Sequence, residues 1–236
     1  MQLPFARGQP LRGLAFFFAR TSAPGFLSGT MDPRICLDCR FRLGQGGWMF
    51  EPFRKTGDRR QDYESLLVAL DHLLEKSNSA SLDFYGSRSL AGPHGLATLA
   101  NAVALLNWFM NEINWCGYYL WDGQRLMLGP FQGMPACTSI EPGKGVCGTA
   151  FERRKPVIVD DVNRFPGHIA CDPNSKSEIV IPLFAPGTPP PSPETTKVSA
   201  QPIGVLDIDS PELDRFDTTD SYYLERFNRL VSERLG

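Results

Sequence analysis

An α+β fold, with a mostly antiparallel central sheet flanked by helices, is what this sequence predicts, and three observations carry the prediction. Two stretches with helical apolar spacing come first, at 61–76 and 96–113. The short strand-like runs then follow one another between 114 and 210, and a further helical pattern closes the chain. A wound parallel sheet would instead alternate strand and helix along its length.

Residues 1–58 are expected to be an N-terminal extension, disordered or transit-like. The first thirty residues carry Arg7, Arg12 and Arg20 and no acidic residue, the charge bias of an organellar transit peptide. Residues 59–236 are expected to form the folded domain, with insertions near 77–95 and 185–200. The run "QDYESLLVALDHLLEK" sets Tyr63, Leu66, Leu67, Leu70, Leu73 and Leu74 at three- and four-residue spacing, an amphipathic helix. Gly, Ser and Pro break the period over 77–95, which reads as a loop. The stretch "LATLANAVALLNWFMNEI" is a buried helix running into "NWCGYYLWDGQRLMLGPFQG", a hairpin around Asp122 and Gly123, since Asp-Gly supplies positive φ in tight turns. Three short strands are expected at 155–162, 177–184 and 201–210. The proline-rich "APGTPPPSPETTKVSA" between the last two is a solvent loop. "DTTDSYYLERFNRLVSERL" opens with capping residues and is helical.

At 236 residues and 42% hydrophobic content the chain can bury a full core. A net charge of −2 gives no basic field for nucleic acid, and no apolar run reaches the ~18 residues of a membrane span. The six cysteines, with no secretory leader, indicate a reducing compartment in which exposed thiols tend to be catalytic, redox-active or metal-binding. A cytoplasmic location is expected, with the nucleus open and mitochondria the destination if the extension acts as a transit peptide.

Two motifs are weighed and set aside. "GKGVCG" has the glycine spacing of a dinucleotide loop, but no buried strand precedes it and Pro156 leaves room for only about two turns of helix after it. Cys36 and Cys39 are spaced as half a zinc site without a second pair of ligands, so no metal is expected. Cys137, Cys147 and Cys171 differ, because each sits in a turn-rich polar stretch. Cys147 precedes the short helix "GTAFERR", whose backbone N–H groups would stabilise a thiolate, and Cys171 has His168 nearby. Cys116 is assigned to packing. Asp207 and Asp209 are two apart on a strand and share a face, Glu178 opens its own strand and could meet them, and Trp115 and Tyr119 share a face of the hairpin.

Taken in order, "NWCGYYL", "LGPFQGMPAC", "GKGVCGTA", "FPGHIACD", "SEIVIPL" and "GVLDIDSP" closely resemble the free methionine-(R)-sulfoxide reductases, which are single GAF domains. The resemblance covers roughly residues 61–75 and 96–233 and implies a GAF fold. It implies that Cys171 is the nucleophile and Cys137 its resolving partner, with Cys147 a second resolver or, in a rival assignment, the nucleophile. It also implies a substrate pocket walled by Trp115 and Tyr119, with Glu178, Asp207 and Asp209, and more weakly Asp161, around the substrate's polar atoms.

The implied reaction is consistent with those residue types. A sulfoxide needs protonation of its oxygen before a thiolate can attack, and crowded carboxylates raise one another's pKa until one stays protonated. The remaining negative charge would select the α-ammonium of free methionine. A sulfenic acid would form and condense with a second thiol to a disulfide, recycled by thioredoxin with NADPH supplied through thioredoxin reductase; no bound cofactor is expected. A role in oxidative stress response follows, and a homodimer is left open. The alternatives are a non-catalytic ligand-sensing GAF domain, a cysteine hydrolase built on Cys171 and His168, and a zinc-binding module.

Overall fold

The structure is a computed structural model and describes residues 53–79, 92–169, 172–188 and 200–235. The extension up to residue 52, most of the 77–95 insertion, the tip of the proline-rich loop, Cys36, Cys39 and Cys171 lie outside the described residues.

Two helices come first, α1 (Arg59–Ser79) and α2 (Pro93–Phe109). The loop expected over 77–95 is shorter than the sequence suggested, because α2 starts at Pro93; proline fits a first helical turn, where its missing N–H has no intrahelical partner anyway. α2 also stops four residues before the expected end. Met110 turns extended and Glu112 adopts φ of 58°, which points the chain into the sheet.

The hairpin follows as β1 (Trp115–Trp121) and β2 (Leu126–Gln132). Gly123 takes φ of 103°, and the Asp122 carboxylate accepts from the N–H groups of Gln124 and Arg125, closing the turn. A two-residue strand, β3 (Ser139–Ile140), pairs with Leu126 and Met127. The sequence reading denied that stretch a strand, since two residues leave no period to detect.

Next come α3 (Gly145–Arg153), β4 (Val157–Val159), a single 3-10 turn at Val162–Arg164, β5 (Ser177–Leu183), β6 (Gly204–Ser210) and α4 (Thr218–Leu235). Among the described residues the six strands form one sheet in the order β3-β2-β1-β6-β5-β4, every pairing antiparallel. The expected α+β class is observed. The antiparallel pairing also removes the βαβ context that a dinucleotide loop at "GKGVCG" would need.

The pleat sorts the central strands into two faces. Cys116, Tyr118, Ile179, Ile181, Leu183, Leu206 and Ile208 face a core filled by α1, α2 and α4. Their neighbours Trp115, Tyr119, Val180 and Val205 face a second, smaller core with α3 and its residues Val146, Cys147, Ala150 and Phe151. The thiol of Cys116 points at the Val103 carbonyl within the first core, as expected of a packing cysteine. No described helix is long and apolar enough to cross a membrane.

Candidate active site

The site grows out of strand register on the second face. Glu178 of β5 pairs with Asp209 of β6, which in turn pairs with Trp115 of β1. One pleat further, Val180 pairs with Asp207, which pairs with Gly117. Three carboxylates therefore stand on adjacent positions of one sheet face, where the alternation of side chains put Asp207 and Asp209 together. All three are buried.

Gly117 is required by its neighbour. A Cβ there would lie 2.6 Å from the Trp115 ring and 2.5 Å from the Phe131 Cβ, so only glycine lets the indole lie across the strand. Trp115 then stacks between Tyr119 at 5.9 Å and Phe131 at 5.5 Å, and its Nε1–H donates to the Met134 carbonyl. The Tyr119 hydroxyl donates to the carbonyl of Cys137. The expected aromatic pair is present but fully buried, covered by the 133–138 segment that carries the half-buried Cys137.

Cys147 is where the structure corrects the sequence reading. Helix α3 begins at Gly145, so Cys147 lies within its first turn rather than before it, and it is buried. Gly148 allows the helix to settle here, since a Cβ would come within 2.3 Å of the Glu141 carbonyl. The Cys147 Sγ is 3.9 Å from Glu178 Oε1, and Cys147, Glu178 and Asp207 each offer a ligand atom within 4.8 Å of the others. Burial first, and then the charges of Asp207 and Glu178, push this thiol well above its ordinary range. The expected helix-terminus stabilisation of a thiolate is outweighed, because full burial removes the water that would solvate it.

The same burial acts on the acids. Asp207 is pushed up to about 6 by loss of solvent, offset in part by hydrogen bonds from Cys147 and Glu178. Asp209 is pushed well above the carboxylate range by burial, then by Asp207 and Asp172. His168 Nε2 lies 3.8 Å from Glu178 Oε2, and burial lowers its pKa, so the imidazole is neutral near pH 7 and the contact is not an ion pair.

These groups close around a cavity of about 20 Å³, room for about one water molecule, lined by Cys147, His168, Ile169, Glu178, Asp207 and Asp209 among others and, among the described residues, by no lysine or arginine. A larger hollow of about 230 Å³ lies between α4 and the end of β5, lined by Phe184, Asn228 and Arg229 and, among the described residues, by no cysteine. Asp161 is not brought to the cluster. Its carboxylate caps the 3-10 turn by accepting from the Asn163 N–H, and it borders a separate depression with Pro173 and Lys176.

Three residues that the sequence reading did not single out complete the surroundings. Asn114 Nδ2 donates to Asp172 Oδ2 at 2.9 Å and to Ser175 Oγ at 3.0 Å, while Asp172 Oδ1 accepts from the Asn174 N–H. These bonds anchor the chain immediately after Cys171. They also hold the Asp172 carboxyl below its usual range, Asn174 N–H first and the Asn114 amide second. The spacing D-x-N, which favours such a side-chain turn, was the available signal.

Comparison with known proteins decides the family. The GAF domain model matches residues 96–235. The free methionine-R-sulfoxide reductase of Escherichia coli strain K12 is 48% identical over 131 residues, which cover 56% of this chain and 72% of the bacterial one. This chain belongs to the free methionine-R-sulfoxide reductase family of GAF domains. Within the family's wider neighbourhood, protein YtsP of Bacillus subtilis is 41% identical over 80% of this chain and 99% of its own length. The free methionine-R-sulfoxide reductase of Neisseria meningitidis, solved in complex with its substrate, superposes with a TM-score of 0.63 at 33% identity, covering 79% of this chain and 96% of that one. The GAF fold expected from the resemblance is observed.

Proposed function

We propose that this chain reduces free L-methionine-(R)-sulfoxide to methionine. The observation that supports this most is the closed cluster of Cys147, Glu178, Asp207 and Asp209, in which burial raises the carboxyls of Asp207 and, further, of Asp209, so that Asp209 keeps a proton available at neutral pH. That proton goes to the sulfoxide oxygen, and the remaining negative charge attracts the substrate's α-ammonium. The Escherichia coli and Neisseria meningitidis relatives carry this reaction in their names.

Cys171 is the proposed nucleophile. Cys147 suits the role poorly, since burial first, and then the nearby carboxylates, make its thiol hold its proton. Attack of the Cys171 sulfur on the sulfoxide sulfur transfers the oxygen, releasing methionine and leaving a sulfenic acid. Condensation with the thiol of Cys137 expels water and forms a disulfide, which the dithiol of thioredoxin reduces. A cavity with room for one water does not admit methionine sulfoxide, so the reading requires the 133–138 segment and the cavity-lining residues His168, Ile169 and Ser175 to move apart. Opening the first of them uncovers Trp115 and Tyr119 to receive the methyl and sulfur.

The test is NADPH consumption by the reduced chain with thioredoxin and its reductase, offering the free R epimer, the free S epimer and a peptide-bound sulfoxide. Oxidation with the free R epimer alone is expected. Binding of that epimer without any oxidation would support the non-catalytic sensing domain instead.

A further inference from the structure

The cluster has a property that sulfoxide chemistry does not call on: among the described residues it gathers several acidic groups and no lysine or arginine. Cys147, Glu178 and Asp207 bring a thiol and two carboxylates within 4.8 Å of one another, and all three are buried. Asp207 Oδ1 is enclosed without a hydrogen-bond partner among the described residues, and the residue is only 6% exposed. It borders the cavity, whose volume suits one water or one ion.

We propose that Cys147, Glu178 and Asp207 bind a single Zn2+ ion, and that the ion excludes substrate from the pocket. One thiolate with two carboxylates is a donor set that zinc accepts, at about 2.3 Å to sulfur and about 2.0–2.2 Å to oxygen. Tetrahedral coordination at those lengths sets donor atoms about 3.4–3.6 Å apart. The 3.9 Å from Cys147 Sγ to Glu178 Oε1 therefore contracts by a few tenths of an ångström, and the widest separation in the set, which lies within 4.8 Å, by about 1.4 Å at most. The fourth position faces the cavity and takes a water, with neutral His168 beside it on the other oxygen of Glu178. Binding breaks the Cys147 S–H bond and forms an S–Zn bond, the proton passing to solvent, with no change of oxidation state. The ion neutralises the charge that would otherwise attract an α-ammonium, so zinc and substrate compete. This competition rests on the proposed reductase reading; the binding itself does not.

Co2+ reports the site directly, because thiolate ligation gives a near-ultraviolet charge-transfer band. The full chain is reduced and titrated in a Cys36→Ser/Cys39→Ser background, which removes the other closely spaced thiols. A single equivalent should bind with that band and be displaced by Zn2+. Cys147→Ser should abolish the band, and Asp207→Asn should weaken affinity at least tenfold. A band retained in Cys147→Ser, or lost in Cys171→Ser alone, overturns the assignment. If Cys147→Ser does not fold, the Asp207→Asn titration decides, and unchanged affinity overturns it. In the turnover assay Zn2+ should raise the apparent KM for the sulfoxide and leave kcat, with reversal by a chelator; a fall in kcat alone overturns the competition. A metal-free chain without turnover would count against the reductase and leave the Co2+ titration to stand on its own.

Discussion

Asp207 is buried against Cys147 and Glu178, so the folded chain holds a proton there that the unfolded chain has released. Its pKa rises from 3.8 to about 6, so the folded state binds more protons between those values. Stability that is fully present below pH 4 is therefore lost as pH rises through 6, by roughly 3 kcal/mol at 1.36 kcal/mol per unit. Asp207→Asn should accordingly be more stable than wild type at pH 7 while the two differ little at pH 4, as urea unfolding at both pH values will report. Its turnover should fall steeply, because an amide cannot donate the proton. At the cysteines, Cys171→Ser should abolish turnover. Cys137→Ser should release about one equivalent of methionine per chain before recycling slows, read by quenched product assay; full multiple turnover by Cys171→Ser would refute the assignment.

In the proposed reaction helix α3 and the loop ahead of β5 carry reacting groups, and each is positioned by contacts away from them. Gly148 lets α3 seat against the Glu141 carbonyl, so Gly148→Ala should destabilise by about 1–3 kcal/mol through overpacking and displace Cys147. The loop is tied down where Val162 N–H donates to the Lys176 carbonyl, Lys176 N–H to the Ser210 carbonyl, and Asn114 to Asp172. Asp172→Ala releases the tie next to Cys171. We expect kcat/KM to fall about 10- to 100-fold with the circular dichroism spectrum unchanged, since displacement of reacting groups by about 1 Å has that effect. An unaltered kcat/KM would mean that Asp172 does not position the loop.

On the far side of the sheet, α1 and α4 are joined by charge. Buried Asp220 receives the Tyr63 hydroxyl at 2.5 Å and contacts the Arg59 and Arg215 guanidinium groups, while Arg226 meets Glu64 and Arg234 meets Asp71. Removing the one fully buried member should be destabilising. Asp220→Ala is expected to cost about 1–3 kcal/mol, chiefly by leaving the buried Tyr63 hydroxyl without its acceptor, since Arg59 keeps Asp217 and Arg215 keeps Glu112. Activity per folded molecule should stay unchanged, because this layer and the cavity lie on opposite faces of the sheet. Thermal melting together with specific activity below the melt separates the two effects.

The sequence by itself determined the class of fold, the order of the elements and which residues share a face, because side-chain period is local. Asp207 with Asp209, and Trp115 with Tyr119, were legible for that reason. Their chain segments were also long and characteristic enough to carry the family. Tertiary structure decided what those residues meet. Only the pairing of β5, β6 and β1 brings Glu178 beside Asp209, and only the seating of α3 sets Cys147 against them. Burial then reversed one expectation: a cysteine in a polar, turn-rich stretch reads as exposed and reactive, whereas enclosure between two carboxylates makes Cys147 hold its proton. Desolvation depends on every neighbour at once, and no local spacing encodes it.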